Sequence, residues 1–541
     1  MSESAAAAPA APEVAKENKM PSSIWFIVSN EFAERFCFYG INSILVAYMV
    51  SHMKFPDGKA LAWGALFKSA AYFFPVLGAV ISDVFWGKFR TIFVFSILYA
   101  TGCVCLALFG SSEFALVASL GLVALGTGGI KPCVSTNVGD QFSAKNAHLI
   151  ERAFSLFYMA INAGSSISIF MCPWLLDHPN WGPKWAFGMP AIMMVLATIV
   201  FVAGKAKYVM VPPAGKAWLK EVFSPDGLKL IAKLGVLYVF VALFWSLWDQ
   251  SNGGALVLQA KSPLMDKSIF GIFTFKPAQV QVVNGLFILL LAPVFSYGIY
   301  PAVNKFVKVT PLRKIGAGLV VIGISFIVVG WIEDEIMAGR TVSVWWQLLA
   351  YLILTASELL VSVTALEFSY KQAPLRIKSF IMALFLLSTT LGNLVVAAVN
   401  LVSVKPVKVE KIETGAQTWV TLEGAADFVP GQKIDFTDKA GIMTVSLDDK
   451  GQPEEKALEG TYLVAEVETS RVRIMTVERQ DLSTKGGFSG LDSVSTYSLV
   501  GSAYYWFFIA IIWIAALVFA VYAKFYKEQD FVRTDEGAAA A

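Results

Sequence analysis

Twelve long apolar runs constrain this chain more than any other feature of its sequence. The hydrocarbon core of a bilayer is about 30 Å thick, and an α-helix rises about 1.5 Å per residue, so about 20 apolar residues cross it. Runs of that length fall at approximately 22–50, 60–84, 90–110, 113–139, 152–176, 185–204, 229–255, 278–300, 312–332, 343–370, 378–401 and 501–524. In lipid every backbone N–H and C=O must be bonded internally, which makes such runs helices. The expected fold class is therefore an all-α membrane protein with twelve transmembrane helices. Composition agrees: 56% of the 541 residues are hydrophobic and only 15% are charged, which does not suit a soluble surface.

The remaining segments organise these spans. The Ala- and Pro-rich tail, residues 1–21, has no apolar signal-peptide core and is expected to be disordered. Lys and Arg concentrate in alternate loops: with the N-terminus inside, inner segments hold 22 and short outer loops 7. The positive-inside rule places both termini in the cytoplasm, with the chain multi-pass in a plasma membrane or bacterial inner membrane. The linker 205–228 divides the spans into a six-helix bundle, 22–204, and a second half that begins with helices over 229–401. Two such halves suit rocking about a central site. Span twelve is expected within 500–526, followed by a cytoplasmic tail, 527–541.

Residues 402–499 change character, with short β-like runs at Thr418–Glu423, Lys433–Phe436, Ile442–Leu447, Tyr462–Glu468 and Val472–Val477 separated by turn formers. This segment reads as a small β domain inserted on the outer side between the last two spans. In its fourth run Leu463, Ala465 and Val467 are expected to share one face. Its 11 basic and 16 acidic residues give −5, so the rest of the chain carries +8 and the whole +3. Nothing in that balance points to nucleic acid.

A charge deep in a span costs about 2.5 kcal/mol or more unless it faces protein or water, so each one is a functional-site candidate. Span one carries Glu31, Glu34, Arg35 and Tyr39, whose spacing sets them on neighbouring positions of one helical face. Two carboxylates around one guanidinium leave one acid free to take up or release a proton. Lys131 follows Gly126-Thr-Gly-Gly-Ile in span four, with no acid within a turn, so its partner is expected from another helix. Asp249 in span seven and Glu358 in span ten are the two candidates. Lys68 lies within span two, and Glu367 lies close to the end of span ten. The three histidines, His52, His148 and His178, lie in or beside loops, which leaves proton chemistry to carboxylates. No His or Cys set has metal-ligand spacing, and no cofactor is expected. No nucleophile-base pair or phosphate loop points to an enzyme.

These same residues carry a family resemblance. Glu31-x-x-Glu34-Arg35-Phe36 with Phe38-Tyr39-Gly40, Gly128-Gly-Ile-Lys131-Pro132, and Ala153-Phe-Ser155-Leu-Phe157-Tyr158-x-x-Ile161-Asn162-x-Gly164-Ser165 resemble the hallmark motifs of the proton-dependent oligopeptide transporter family, within the major facilitator superfamily. The stretches Phe244-Trp245 to Asp249-Gln250 and Ser357-Glu358 to Tyr370 are similar to the animal-type members in particular. The resemblance covers 24–401 and 501–526. It implies a major facilitator fold of two six-helix halves and a proton-coupled symporter that imports di- and tripeptides by alternating access. It also implies proton coupling at Glu31, Glu34, Arg35, Lys131 and Glu358. Tyr39, Tyr72, Lys131, Asn162, Trp245, Asn284 and Glu358 match family positions that face the pocket, and with Asn42, Lys68, Asp249 and Phe385 they make up the expected substrate-site set. A zwitterionic peptide needs a cation for its carboxylate, an anion for its ammonium, and polar groups for its backbone.

The sequence departs from the family pattern at several points. Asn42 replaces a second arginine usual in peptide-transporting members, Phe38 replaces the first tyrosine of a pair, and Ala65 lies near the position of the animal proteins' mid-span histidine. The β insert follows span eleven, whereas the animal proteins place their extracellular domain after span nine. Lys68 is expected to supply the cation missing at Asn42. Two rival readings remain: a proton-coupled carrier of nitrate or another small anion on the same fold, and a non-transporting peptide receptor whose β domain binds a partner.

Overall fold

The structure is a computed structural model, and it describes residues 19–526 except 144–145, 147–148, 214, 216–219, 221, 373–377, 437–440, 448–452, 489 and 491–492. Most of the tail expected to be disordered, His148, and the expected C-terminal tail lie outside the described residues.

Among the described residues eleven helices are long and apolar enough to cross a membrane. The remaining expected span is helix α1, Ser23–Ser51, of 29 residues. It has the length of its neighbours but is made less apolar by Glu31, Glu34, Arg35 and Asn42. Helices α2 (Asp57–Val80), α3 (Lys88–Phe109), α4 (Glu113–Asp140), α5 (Ile150–Leu176) and α6 (Gly182–Ala203) follow. Their core runs from Ile24 to Tyr208 and forms one cluster.

The second set comprises α7 (Pro225–Trp248), the short α8 (Ala255–Ala260), α9 (Val283–Pro293), α10 (Tyr300–Asn304), α11 (Pro311–Met337), α12 (Val344–Glu358), α13 (Thr364–Gln372), α14 (Lys378–Val402) and α15 (Ser502–Phe525). A separate core cluster, drawn from residues 222–519 apart from Ala65 and Val84, holds them together. Three of the spans contain a π-helical segment, at Ile81–Trp86, Val294–Ile299 and Leu359–Val363, the last immediately after Glu358. Such a widened turn re-aims side chains and recurs at functional sites.

Four two-residue strands, β1 (Met265–Asp266), β2 (Ser268–Ile269), β3 (Phe273–Thr274) and β4 (Val342–Ser343), tie loops of the second half. The inserted domain contains β5 (Val404–Glu413), β6 (Thr418–Leu422), β7 (Lys433–Phe436), β8 (Ile442–Leu447), β9 (Pro453–Ala457), β10 (Gly460–Val467), β11 (Arg471–Met475), β12 (Thr484–Gly486) and β13 (Ser493–Tyr497). Six strands close into a barrel in the order β10-β11-β6-β5-β13-β7, with β12-β8-β9 as a separate sheet. The barrel packs around Val420, Ile434, Val464, Val472 and Ile474.

One expectation for β10 is corrected. Its register against β11 shifts between Val464 and Glu466, and the bulge breaks the alternation at Ala465. Tyr462 and Val464 therefore join the barrel core, and Ala465 is only partly buried. An extra residue in one strand shifts every side chain beyond it to the opposite face.

Consecutive spans run antiparallel, so α1 and α2 meet at the same face as the roots of the barrel. We call this the barrel face, and the opposite one the linker face. Contacts between the two helix sets gather towards the barrel face. Ser69 and Thr390 exchange reciprocal hydrogen bonds of 3.1 and 3.0 Å between α2 and α14. Gln279 donates to the Phe170 carbonyl at 2.7 Å, and Lys276 lies 3.7 Å from Asp177. Towards the linker face Tyr158 and Tyr297 are exposed.

Candidate functional site

Helix α1 buries its charges in a self-contained cluster. Arg35 Nε lies 3.2 Å from Glu31 Oε1, and the guanidinium also pairs closely with Glu34. Thr127 on α4 donates to Glu34 Oε1 at 2.9 Å. Glu34 thus has the arginine and a hydroxyl, while Glu31 has the arginine at longer range. Helix α4 can approach closely because its glycines leave room: a Cβ on Gly128 would lie 2.2 Å from Phe74 Cβ.

The ammonium of Lys131 lies 3.6 Å from the centre of the Tyr72 ring and 5.9 Å from that of Phe38. Arg35 lies 5.5 Å from the same Phe38 ring, and Tyr39 meets it edge-on at 5.5 Å. The cations of α1 and α4 are thus held beside aromatic faces, a favourable arrangement where water is scarce.

Lys131 forms an ion pair with neither expected partner, and each of those carboxylates has contacts of its own. Glu358 Oε2 accepts from Trp248 Nε1 at 2.8 Å and from Asn284 Nδ2 at 2.9 Å. Asn284 also donates to Thr355 at 3.0 Å. Asp249 accepts from Asn393 Nδ2 at 2.6 Å and lies 3.8 Å from the Lys68 ammonium.

Lys68 therefore joins the two helix sets. It donates to the backbone carbonyls of Asp249 at 2.6 Å and Asn252 at 3.2 Å. Asn42 Nδ2 donates to the same Asn252 carbonyl at 3.2 Å and to Asn252 Oδ1 at 3.0 Å. Gly253, at φ +72°, makes this turn possible: a Cβ there would lie 2.2 Å from the Asn42 carbonyl oxygen. From the other side Tyr351 donates to Ser251 O at 2.7 Å. A lysine from α2 and an amide from α1 thus converge on one turn, residues 249–254.

The other expected residues are placed less centrally. Asn162 donates to Tyr158 O on its own helix at 2.8 Å. Trp245 is buried, edge-on to Trp248 at 5.2 Å, and Phe385 is buried edge-on to Tyr238 at 6.0 Å. Glu367 pairs with Lys371 on an exposed helix face. Sequence reasoning missed the roles of Trp248, Asn252 and Asn393. Trp248 stands beside Asp249 in the motif, but which carboxylate its indole reaches depends on how separate helices pack.

A family model described as PTR2, POT family, matches residues 89–225 and 218–420. The chain belongs to the POT family. Solute carrier family 15 member 2 of Danio rerio is 37% identical over 352 residues, which cover 57% of this chain and 48% of that protein. Peptide transporter family 2 of Caenorhabditis elegans is 35% identical over 376 residues, covering 58% and 47%. The chain spans about half the length of these curated relatives.

Among solved structures, the POT family transporter PepTSo is 34% identical with a TM-score of 0.66, covering 71% of this chain and 90% of that one. An auto inhibited POT family peptide transporter is 27% identical with a TM-score of 0.71, covering 95% and 99%. The helices thus have the major facilitator fold of POT transporters, and the small β domain expected between the last two spans is present, closed as a barrel.

Proposed function

We propose that this POT family member is a proton-coupled symporter that imports di- and tripeptides across a plasma membrane or bacterial inner membrane. In this reading the linker face and both termini are cytoplasmic, and the barrel faces outward. The observation that carries the proposal is the division of ionisable groups between the two helix sets. Glu31, Glu34, Arg35 and Lys131 stand on one, and Asp249 and Glu358 on the other, with Lys68 joining them. Relatives named as peptide transporters support it.

The chemistry follows from charge. Lys131 serves the peptide carboxylate and Glu358 its ammonium, while Tyr39, Tyr72, Asn162 and Asn284 serve the backbone. Trp245 and Phe385 bound apolar space for side chains. Contacts at the barrel face hold the outer gate shut, so the arrangement corresponds to the inward-facing member of the cycle. Protonation of Glu31 or Glu358 removes a negative charge from its cluster, and differential binding of the proton to two conformations shifts their balance. Asn42 and Lys68 together take the place of the missing arginine at the outer gate.

Tri-alanine uptake into proteoliposomes under an imposed inward proton gradient tests the reading. Accumulation that collapses with the gradient is expected, and uptake indifferent to the gradient would refute coupling. Nitrate competes with tri-alanine only if the small-anion reading is correct. Uptake by a chain lacking 405–497 counts against the receptor reading.

A further inference from the structure

The barrel is fastened to one helix set and merely touches the other. It leaves α14 and returns to α15, and its neck is closed by Ser498 N donating to Ser403 O at 2.8 Å. Arg479 Nη2 further anchors it to the end of α11 through Ile336 O at 2.6 Å and Met337 O at 3.2 Å. These attachments all lie on the second helix set, so the barrel moves with it.

Its reach to the first set ends on the opening residues of α2. Lys433 on β7 pairs with Asp57. The Gly58 backbone N–H donates to the Tyr497 hydroxyl at 3.0 Å, and that hydroxyl donates to Asp435 Oδ2 at 2.8 Å. Thr461 donates to the other Asp435 oxygen at 2.5 Å. Helix α2 has no side-chain cap from its own N-cap residue, Pro56. The first N–H groups of a helix need outside acceptors, and here one acceptor comes from the barrel.

Gly58 is what lets the tyrosine lie so close, since a Cβ there would sit 2.5 Å from Tyr497 Cε1. Around this contact the barrel stands over a chamber of about 1110 Å³, lined by Lys54, Asp57, Lys261, Glu333, Lys433 and Tyr497 among others. The barrel is therefore propped over the helices, with its grip on α2 concentrated in a few polar contacts.

We propose that the barrel is an outer latch: Lys433 and Tyr497 hold the start of α2 and so stabilise the closed outer gate. This rests on the alternating-access reading above. Opening the outer gate separates α2 from α14 and from the turn that follows α7, breaking the Ser69–Thr390 and Lys68–Asp249 contacts. Asp57 and Gly58 lie at the outer end of the same helix. They must leave a barrel fixed to the other helix set, so the latch releases with every outward opening.

The test is a distance measurement across the outer mouth. Spin labels are placed at Lys184→Cys on α6 and Ile272→Cys on the 268–274 loop, both exposed, in a full-length Cys105→Ser background. Lys433→Glu should raise the long-distance, outward-open fraction about threefold or more, the scale expected when a partly exposed ion pair gives way to a like-charge contact with Asp57. The charge-swapped pair Lys433→Glu with Asp57→Lys should return it towards the starting value, which a folding defect would not do.

An unchanged distribution in Lys433→Glu overturns the latch, and so does a shift that the swap leaves in place. The distances are read without substrate, so tri-alanine uptake by the unlabelled protein judges transport separately. Swap-reversible distances without uptake would sink the transport reading and leave the latch standing.

Discussion

Lys68 and Asp249 face each other across the boundary between the two helix sets, 3.8 Å apart and both buried. Asp249 also has Asn393, and Lys68 has two backbone carbonyls. Removing one member of a buried pair leaves an uncompensated charge, at a cost of about 3–5 kcal/mol. Lys68→Ala should lower stability on that scale and abolish proton-driven uptake, and adding Asp249→Asn should recover most of the stability. Thermal unfolding and uptake read both effects. Unaltered peptide affinity and coupling in Lys68→Ala, with transport lost in Lys131→Ala, would show that Lys68 does not take the place of the missing arginine.

Glu31 has the Arg35 guanidinium at longer range, whereas Glu34 is tied to both Arg35 and Thr127. Of the two, Glu31 is the one expected to exchange a proton under the proposed coupling. Glu31→Gln is expected to eliminate uphill accumulation under a proton gradient while leaving counterflow exchange of labelled tri-alanine. Loss of both activities would assign Glu31 to binding or folding instead.

The indole of Trp248 holds Glu358 from one side as Asn284 does from the other. A hydrogen bond to a charged group is worth about 1.5–3 kcal/mol, and Trp248→Phe removes it while keeping an aromatic ring. Peptide affinity should fall about tenfold or more, with the melting temperature lowered by the same lost bond. Equal affinity in a competition assay would mean that Asn284 alone positions the glutamate.

In the barrel, burial raises the pKa of Asp435 from an ordinary 3.8 to about 6, despite hydrogen bonds from Thr461 and Tyr497 that favour its charged form. The neighbouring Asp57 carboxylate acts in the same upward direction, and the Lys433 ammonium opposes it. Between these values the folded chain keeps a proton that the unfolded chain has lost. Stability from this group is therefore greatest at low pH, declines as pH rises from about 4 to about 6, and is flat above. The effect is on the order of 3 kcal/mol. The stability difference between wild type and Asp435→Asn should follow that decline, and a difference constant from pH 4.5 to 7 would contradict it.

How far the sequence foretold this arrangement depends on whether a feature is local. Spans declare themselves by length and hydropathy, because the bilayer imposes both on contiguous residues. The runs 433–436 and 442–447 coincide with β7 and β8, since alternation and flanking turns are local too. Strand β5, with Pro406 inside it, and strands β9, β12 and β13 carried no equal signal. Barrel closure, which brings β7 beside β13, joins residues some 60 positions apart. The ionisable residues of the site were visible as charges in apolar runs. Their partners were not, because Lys131 and Lys68 stand on different helices and only packing decides which of them reaches Asp249.

The barrel's entry and exit strands, β5 and β13, pair antiparallel from Lys408–Ser493 down to Val404–Tyr497, and just below them Ser498 N donates to Ser403 O at 2.8 Å. A domain whose two ends emerge side by side is a cassette: it can be exchanged for another fold with adjacent termini without respacing α14 and α15. A fluorescent module seated on that neck would report the relative tilt of the helix sets as an optical signal, turning the insertion point into a built-in sensor port.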